Sequence, residues 1–121
     1  MAAVGAQGRC LDGWRPEGFS PELSSVNSID AAVSCTASRN GVPAYDRRVD
    51  CGANRNLLAA ARCAGARHFV LLSAICVQRP RLAFQRGKLA FEAALKESGI
   101  TDSIVRPTAF LKSLAGQVDR V

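Results

Sequence analysis

Three short aliphatic runs, at 29–35, 69–72 and 103–105, alternate along the chain with two longer Ala/Leu-rich segments. Their centres lie roughly 35 residues apart, which is room for a strand, a crossover helix and a returning strand. Residues 49–64 place Ala53, Leu57, Leu58 and Ala61 at the spacing of one helical face. Gly65 follows where a helix ends in a left-handed turn. The segment 81–98 repeats this layout and is closed by Gly99. The stretch 39–48, with its Asn-Gly and Val-Pro pairs, reads as loop, as do Pro80 and the residues before it; Pro107 stops the third strand. Strand, helix, strand, helix, strand predicts a parallel sheet with right-handed crossovers. The strands are continuously apolar rather than alternating, which predicts helices over both faces. The expected class is α/β, a partial doubly wound, Rossmann-like sheet.

Composition sets limits on this reading. With 121 residues the chain builds one domain, and with aromatics at only 6% its core must be aliphatic. Residues 28–121 are expected to form a partial nucleotide-binding domain. Residues 1–27 are dense in Gly, Pro and Ser, show no period and read as an irregular, divergent segment. They lack the basic and then apolar layout of a secretory signal, and are too short and mixed to argue for a plastid transit peptide. No run of eighteen apolar residues occurs, so no transmembrane helix is expected. The net charge of +6 comes from dispersed arginines without interleaved aromatics. That pattern argues against nucleic acid and fits a solvated basic surface or a cationic cleft for an anionic cofactor. The cysteines, Cys10, Cys35, Cys51, Cys63 and Cys76, are odd in number and form no CxxC pair, and His68 is the sole histidine. No metal site is expected, and the thiols read as reduced and partly buried.

In open parallel sheets, ligands bind at the carboxyl ends of the strands. Three segments qualify: 35–39, 73–78 and 106–110. The first could pass close to a nucleotide or be a plain strand exit. Ser73 ends the second strand. Phe84 and Lys88 lie one helical turn apart and share a face. From spacing alone, Lys88 fits a cofactor-gripping group and a surface lysine alike. A strand-end serine followed by aromatic-x-x-x-Lys resembles the short-chain dehydrogenase/reductase superfamily, which uses a Ser, a Tyr and a Lys four residues after the Tyr. Phe84 stands at the tyrosine position and has no hydroxyl to donate.

Longer motifs narrow the resemblance. His68-Phe69-Val70-Leu71-Leu72-Ser73-Ala74-Ile75-Cys76-Val77-Gln78, Phe84-Gln85-Arg86-Gly87-Lys88-Leu89-Ala90-Phe91-Glu92 and Ser103-Ile104-Val105-Arg106-Pro107-Thr108-Ala109-Phe110-Leu111-Lys112-Ser113-Leu114 resemble the 8-vinyl-reductases of chlorophyll synthesis. Val33-Ser34-Cys35-Thr36-Ala37-Ser38-Arg39 fits the same family, so the likeness covers about residues 30–121. Phenylalanine at position 84 belongs to that family's pattern. The resemblance implies NADPH-dependent reduction of the 8-vinyl group of a divinyl chlorophyllide or protochlorophyllide to ethyl. It implies that Lys88 holds the nicotinamide ribose, that Ser73 lines the catalytic face and that Phe84 fills the usual acid position. Pro107 and Thr108 would border the nicotinamide, and Ala37, Ser38 and Arg39 the adenosine half. The implied location is the chloroplast in a eukaryote and the cytoplasm in a bacterium.

The chain departs from the family in three places. The GxxGxxG loop that cradles the cofactor pyrophosphate is not supplied by Gly5 and Gly8, which follow no apolar strand and precede no helical pattern. The C-terminal substrate region is missing, and Asp102 falls where relatives carry an aromatic. A central fragment is therefore expected. The alternatives are an inactive truncated product and a non-catalytic NAD(P)-binding protein of the NmrA-like kind.

Overall fold

The computed structural model describes residues 28–37 and 43–108. The irregular segment 1–27, Ser38, Arg39 and the motif residues after Thr108 lie outside it. Strands β1 (Ala31–Ser34), β2 (His68–Leu72) and β3 (Thr101–Val105) form one parallel sheet in the order β1-β2-β3. The register sets Ala31 opposite His68, and His68 opposite Thr101. The third strand begins two residues earlier than its hydropathy suggests. Thr101 and Asp102 enter the ladder because His68 and Phe69 of β2 pair with them. Strand ends are set here by the neighbour's hydrogen-bonding groups, not by local apolarity.

The first crossover differs from expectation. Helix α1 (Pro43–Asp46), a π-helical segment (Arg47–Ala53) and helix α2 (Asn54–Cys63) run together, with Asp46, Ala53 and Asn54 all in right-handed helical backbone. Part of the expected loop at 39–48 is thus helix. Pro43 opens it, at the one helical position where a missing N–H costs nothing and the fixed φ is an advantage. Ala53, Leu58 and Ala61 are buried, as their spacing requires. Gly65, at φ 79°, ends the rod. There the Gly65 N–H donates to the Arg62 carbonyl at 3.1 Å and the Ala66 N–H to the Ala61 carbonyl at 2.9 Å. Gly99, at φ 74°, closes α3 (Ala83–Glu97) in the same left-handed region. The start of α3 is capped from within: the Gln85 side-chain carbonyl accepts the N–H groups of Arg81 at 2.9 Å and Leu82 at 3.0 Å. These are donors a helix N-terminus would otherwise leave unpaired.

One core joins Ala32, Phe69 and Leu71 of the sheet to Leu58 and Ala61 of α2 and to Phe91 and Leu95 of α3. The Phe69 and Phe91 rings meet tilted, centroids 5.8 Å apart. Two right-handed crossovers stepping the same way across a sheet place both helices on one face. The other face carries His68, whose Nε2 lies 2.9 Å from Ser103 Oγ. Val33, on the same side, is 63% exposed. Among the described residues, then, helices cover one face only, not the two that the unbroken apolar strands suggested. The expected burial of thiols also needs correction: among the described residues Cys35, Cys63 and Cys76 are exposed, and Cys51 alone, packed at the margin of the core, is partly buried. No helix among the described residues is long and apolar enough to cross a membrane.

Phe91 is fully buried at the centre of this cluster. Phe91→Ala should therefore cost about 3–5 kcal/mol, the transfer term plus the cavity left behind. Urea unfolding followed by circular dichroism measures it, and a loss below about 1 kcal/mol would contradict the packing described.

Candidate functional site

The carboxyl ends of the three strands lie side by side. Their pairing continues past the strands: the Ser73 N–H donates to the Val105 carbonyl at 2.8 Å and the Ile75 N–H to the Pro107 carbonyl at 3.1 Å. Residues 73–75 and 105–107 thus form one ledge, with Ala37 following Thr36 at its β1 end. Ala37 and Thr108 are exposed and Pro107 is half-buried. Cys76 turns the chain out of the ledge at φ 62°, a left-handed conformation unusual for a residue with a Cβ. The Arg79 N–H donates to its carbonyl at 3.1 Å, and the next residue, Val77, is fully buried.

Helix α3 supports the ledge from below with three polar side chains. Gln85, besides capping its own helix, directs its amide to the Ile75 carbonyl at 3.4 Å. Lys88 is only 3% exposed. Its ammonium donates to the Thr36 carbonyl and to the Leu72 carbonyl at 3.2 Å, joining the ends of β1 and β2. It also pairs with Asp50 Oδ1 at 3.4 Å. Two of the three ammonium protons thus have backbone acceptors, and the carboxylate stands at ion-pair distance from the same nitrogen. Burial pulls the Lys88 amine below its ordinary value, against the opposing pull of Asp50.

One turn further along α3, Glu92 joins β2 to β3. It accepts the Ser73 hydroxyl at 2.6 Å and a two-pronged contact from Arg106, Nε at 3.1 Å and a terminal nitrogen at 2.6 Å. Burial raises the Glu92 carboxyl, but the hydrogen bonds from Arg106 and Ser73 outweigh it and leave the group below its ordinary value. A further network sits beneath β1. The Ser34 hydroxyl donates to the Asn54 side-chain carbonyl, and the Asn54 amide donates to the Asp50 carbonyl at 2.9 Å, so the π segment is stapled to the strand.

Of the residues expected to form a site, Ala37, Ser73, Lys88 and Pro107 come together on or under the ledge. Thr108 lies at its exposed end, and Phe84 is half-buried one turn before Lys88. Ser38 and Arg39 lie outside the described residues. The Ser73 hydroxyl is buried and turned to Glu92, and the Lys88 ammonium is turned to the protein. Sequence reading missed Asp50, Asn54, Gln85 and Glu92, and it placed Arg106 at a strand end without giving it a role. Glu92 carried one usable signal, the i to i+4 spacing from Lys88 that puts both under the same strand ends. The ledge presents small side chains and backbone groups, with the Lys88–Asp50 ion pair buried beneath it.

The depressed carboxyl of Glu92 fixes the sign of a pH effect. In the unfolded chain it takes a proton near 4.5, in the folded chain only at lower pH. Its contribution is therefore complete above about 4.5 and is lost as pH falls through the folded value. Acid titration of unfolding stability should show this loss. Glu92→Gln should be less stable at neutral pH and flatter across that window; an unchanged acid limb would count against the Ser73–Glu92–Arg106 network.

Comparison with known proteins accords with this geometry. Among curated proteins, the chain is 59% identical over 98 residues to "Divinyl chlorophyllide a 8-vinyl-reductase, chloroplastic" of Cucumis sativus, covering 77% of this chain and 23% of that protein. It is 51% identical over 111 residues to the protein of the same description from Zea mays, covering 88% and 28%. The chain thus spans about a quarter of the length of these relatives. Among solved structures, the Bacillus cereus enoyl-acyl carrier protein reductase with NADP+ and indole naphthyridinone superposes with a TM-score of 0.67 at 13% identity, over 84% of this chain and 51% of that one, which shows a shared Rossmann-type fold. Residues 23–121 match the family described as NAD(P)H-binding, and with most of its length inside that match the chain belongs to this NAD(P)H-binding family.

Proposed function

We propose that this chain is the central part of an NADPH-dependent reductase that converts the 8-vinyl group of divinyl chlorophyllide or protochlorophyllide to ethyl in the plastid. The observation that carries the proposal is the 59% identity, over 77% of this chain, to a plant enzyme of that description. In this reading Ala37, Ser38 and Arg39 border the adenosine half of NADPH, and Pro107 and Thr108 the nicotinamide. Lys88 is assigned to the nicotinamide ribose, to which its ammonium would donate a hydrogen bond. Ser73 holds the edge of the catalytic face through Glu92.

When bound, NADPH supplies a hydride, and one proton from solvent completes the change from vinyl to ethyl. Phe84 can give no proton. Nor does the reaction need one at that place, since a vinyl group develops no alkoxide there. A hydroxyl added at position 84 would gain nothing and, half-buried, would need a partner.

The test is a chimaera in which the matched segment of this chain, 77% of its length, replaces its counterpart in the Cucumis sativus enzyme. Vinyl-to-ethyl conversion is followed by pigment chromatography with NADPH, and again with NADH. The chimaera should reduce the pigment and prefer NADPH. Lys88→Ala should lower kcat/KM about ten- to hundredfold, the loss of a charged hydrogen bond of about 1.5–3 kcal/mol. Phe84→Tyr should bring no gain. A chimaera inert towards divinyl pigments would sink the substrate assignment, and wild-type kcat/KM in Lys88→Ala would remove the lysine from the site.

A further inference from the structure

We propose that Asp50 is a positioning residue of the cofactor site, holding the Lys88 ammonium charged and aimed at the ends of β1 and β2. The proposal rests on the assignment of Lys88 to the cofactor. Three observations carry it.

The first is geometric. Asp50 is fully buried and faces an almost fully buried Lys88 across 3.4 Å, from a different segment of the chain. The two strand-end carbonyls accept two of the three ammonium protons, and the carboxylate faces the third. A neutral amine has two protons and could not serve all three. The second observation is the backbone that presents Asp50. It lies within the seven-residue π segment Arg47–Ala53, a rare helical form that often marks functional sites. The third is Gly87, the residue before Lys88. A Cβ there would stand 3.0 Å from Asp50 Cβ and 3.4 Å from the Asp46 carbonyl, so the missing side chain is what lets α3 and the π segment approach this closely.

The charges around Lys88 leave Asp50 as its counter-ion. Cys35, at the end of β1, is the other group acting on it through charge. Glu92, on the same helix, is committed to Ser73 and Arg106. Asp46 lies one turn before Asp50 and is buried, and Lys88 forms its ion pair with Asp50. The β2 end contributes only its backbone carbonyl. Burial alone disfavours the charged amine, so removing the carboxylate should push Lys88 towards the neutral form.

The experiment has two arms. In the 121-residue chain, the Lys88 ammonium is titrated by nitrogen-15 NMR. Asp50→Asn should lower its midpoint by about one pH unit or more, and Asp50→Glu should restore most of the shift. In the chimaera, NADPH affinity is measured against pH without pigment. Its alkaline fall-off should move down with Asp50→Asn by the same amount, and in a Lys88→Met background Asp50→Asn should change affinity less than twofold. Asp50→Asn/Lys88→Met, which leaves no orphaned charge, should recover thermal stability without recovering NADPH affinity. An unmoved Lys88 midpoint overturns the proposal, as does recovery of affinity in the double variant, since the pair would then be structural only. If Asp50→Asn alone does not fold, the comparison within the Lys88→Met background decides: a further several-fold loss of affinity overturns the proposal, and no further loss supports it. A wild-type chimaera that binds NADPH but does not reduce divinyl pigment ends the substrate assignment and leaves this proposal standing on its own readouts.

Discussion

The ends of β1 and β2 are held by one buried ammonium. Past the last ladder hydrogen bond, the carbonyls of Thr36 and Leu72 need donors, and buried carbonyls without them are costly. Lys88 reaches both from below. Taking an ammonium out of water costs several kcal/mol, a cost offset only when acceptors and an opposite charge surround it. Asp50 completes that set. Such an arrangement is asymmetric in its failure. Deleting either partner strands a charge in the interior, whereas replacing both by apolar groups of similar volume can be nearly neutral.

The same helix sorts its side chains by sector. Phe91 and Leu95 enter the apolar core, while Gln85, Lys88 and Glu92, spaced three and four apart, lie along the polar side under the ledge. Each of these three serves a different junction: Gln85 the turn after β2, Lys88 the β1–β2 pair, Glu92 the β2–β3 pair. The shape of the ledge is thus set largely by one helix. A rotation or register slip of α3 would disturb every strand end at once. The left-handed Cys76 is a product of the same anchoring. Its conformation costs on the order of 1 kcal/mol, and it persists because Ile75 is tied down on one side and Val77 is buried on the other.

Much of the architecture was legible in the chain because its signals are local. Aliphatic runs marked the three strands, Gly65 and Gly99 marked helix ends, and the spacing of Ala53, Leu58 and Ala61 marked a buried helical face. Pro43 was misread because a proline both breaks a helix it interrupts and favours a helix it begins; the residues on its C-terminal side decide between the two. Among the described residues helices lie on one face of the sheet, and unbroken apolar strands report what a sheet can bury, not which segment covers it. For the site, Lys88 and Ser73 stood out by motif, but what they touch did not. Lys88 meets Asp50 38 residues away and Ser73 meets Glu92 19 residues away, with no periodic relation between partners. Acidic residues inside amphipathic helices look like solvated positions until tertiary structure buries them.

The strand order carries a consequence for assembly. Because β1, β2 and β3 neighbour one another in the order in which they are made, each pairs with the strand just before it. No later strand has to be threaded between two earlier ones, and every crossover closes over the unit already formed. Each pairing still closes a long loop, 37 residues from Ala31 to His68 and 33 from His68 to Thr101, and parallel pairing at such separations is slow. Of the described elements, a ribosome releasing this chain would deliver β1, then the rod that covers it, then the strand that pairs with it. Helix α3 then brings Lys88 to the ends of β1 and β2, already made, while Arg106, the partner of Glu92, follows only after β3. The Lys88 clasp can therefore close only once β1, β2 and α3 are all in place, and the ledge is complete only when residues 105–107 join it.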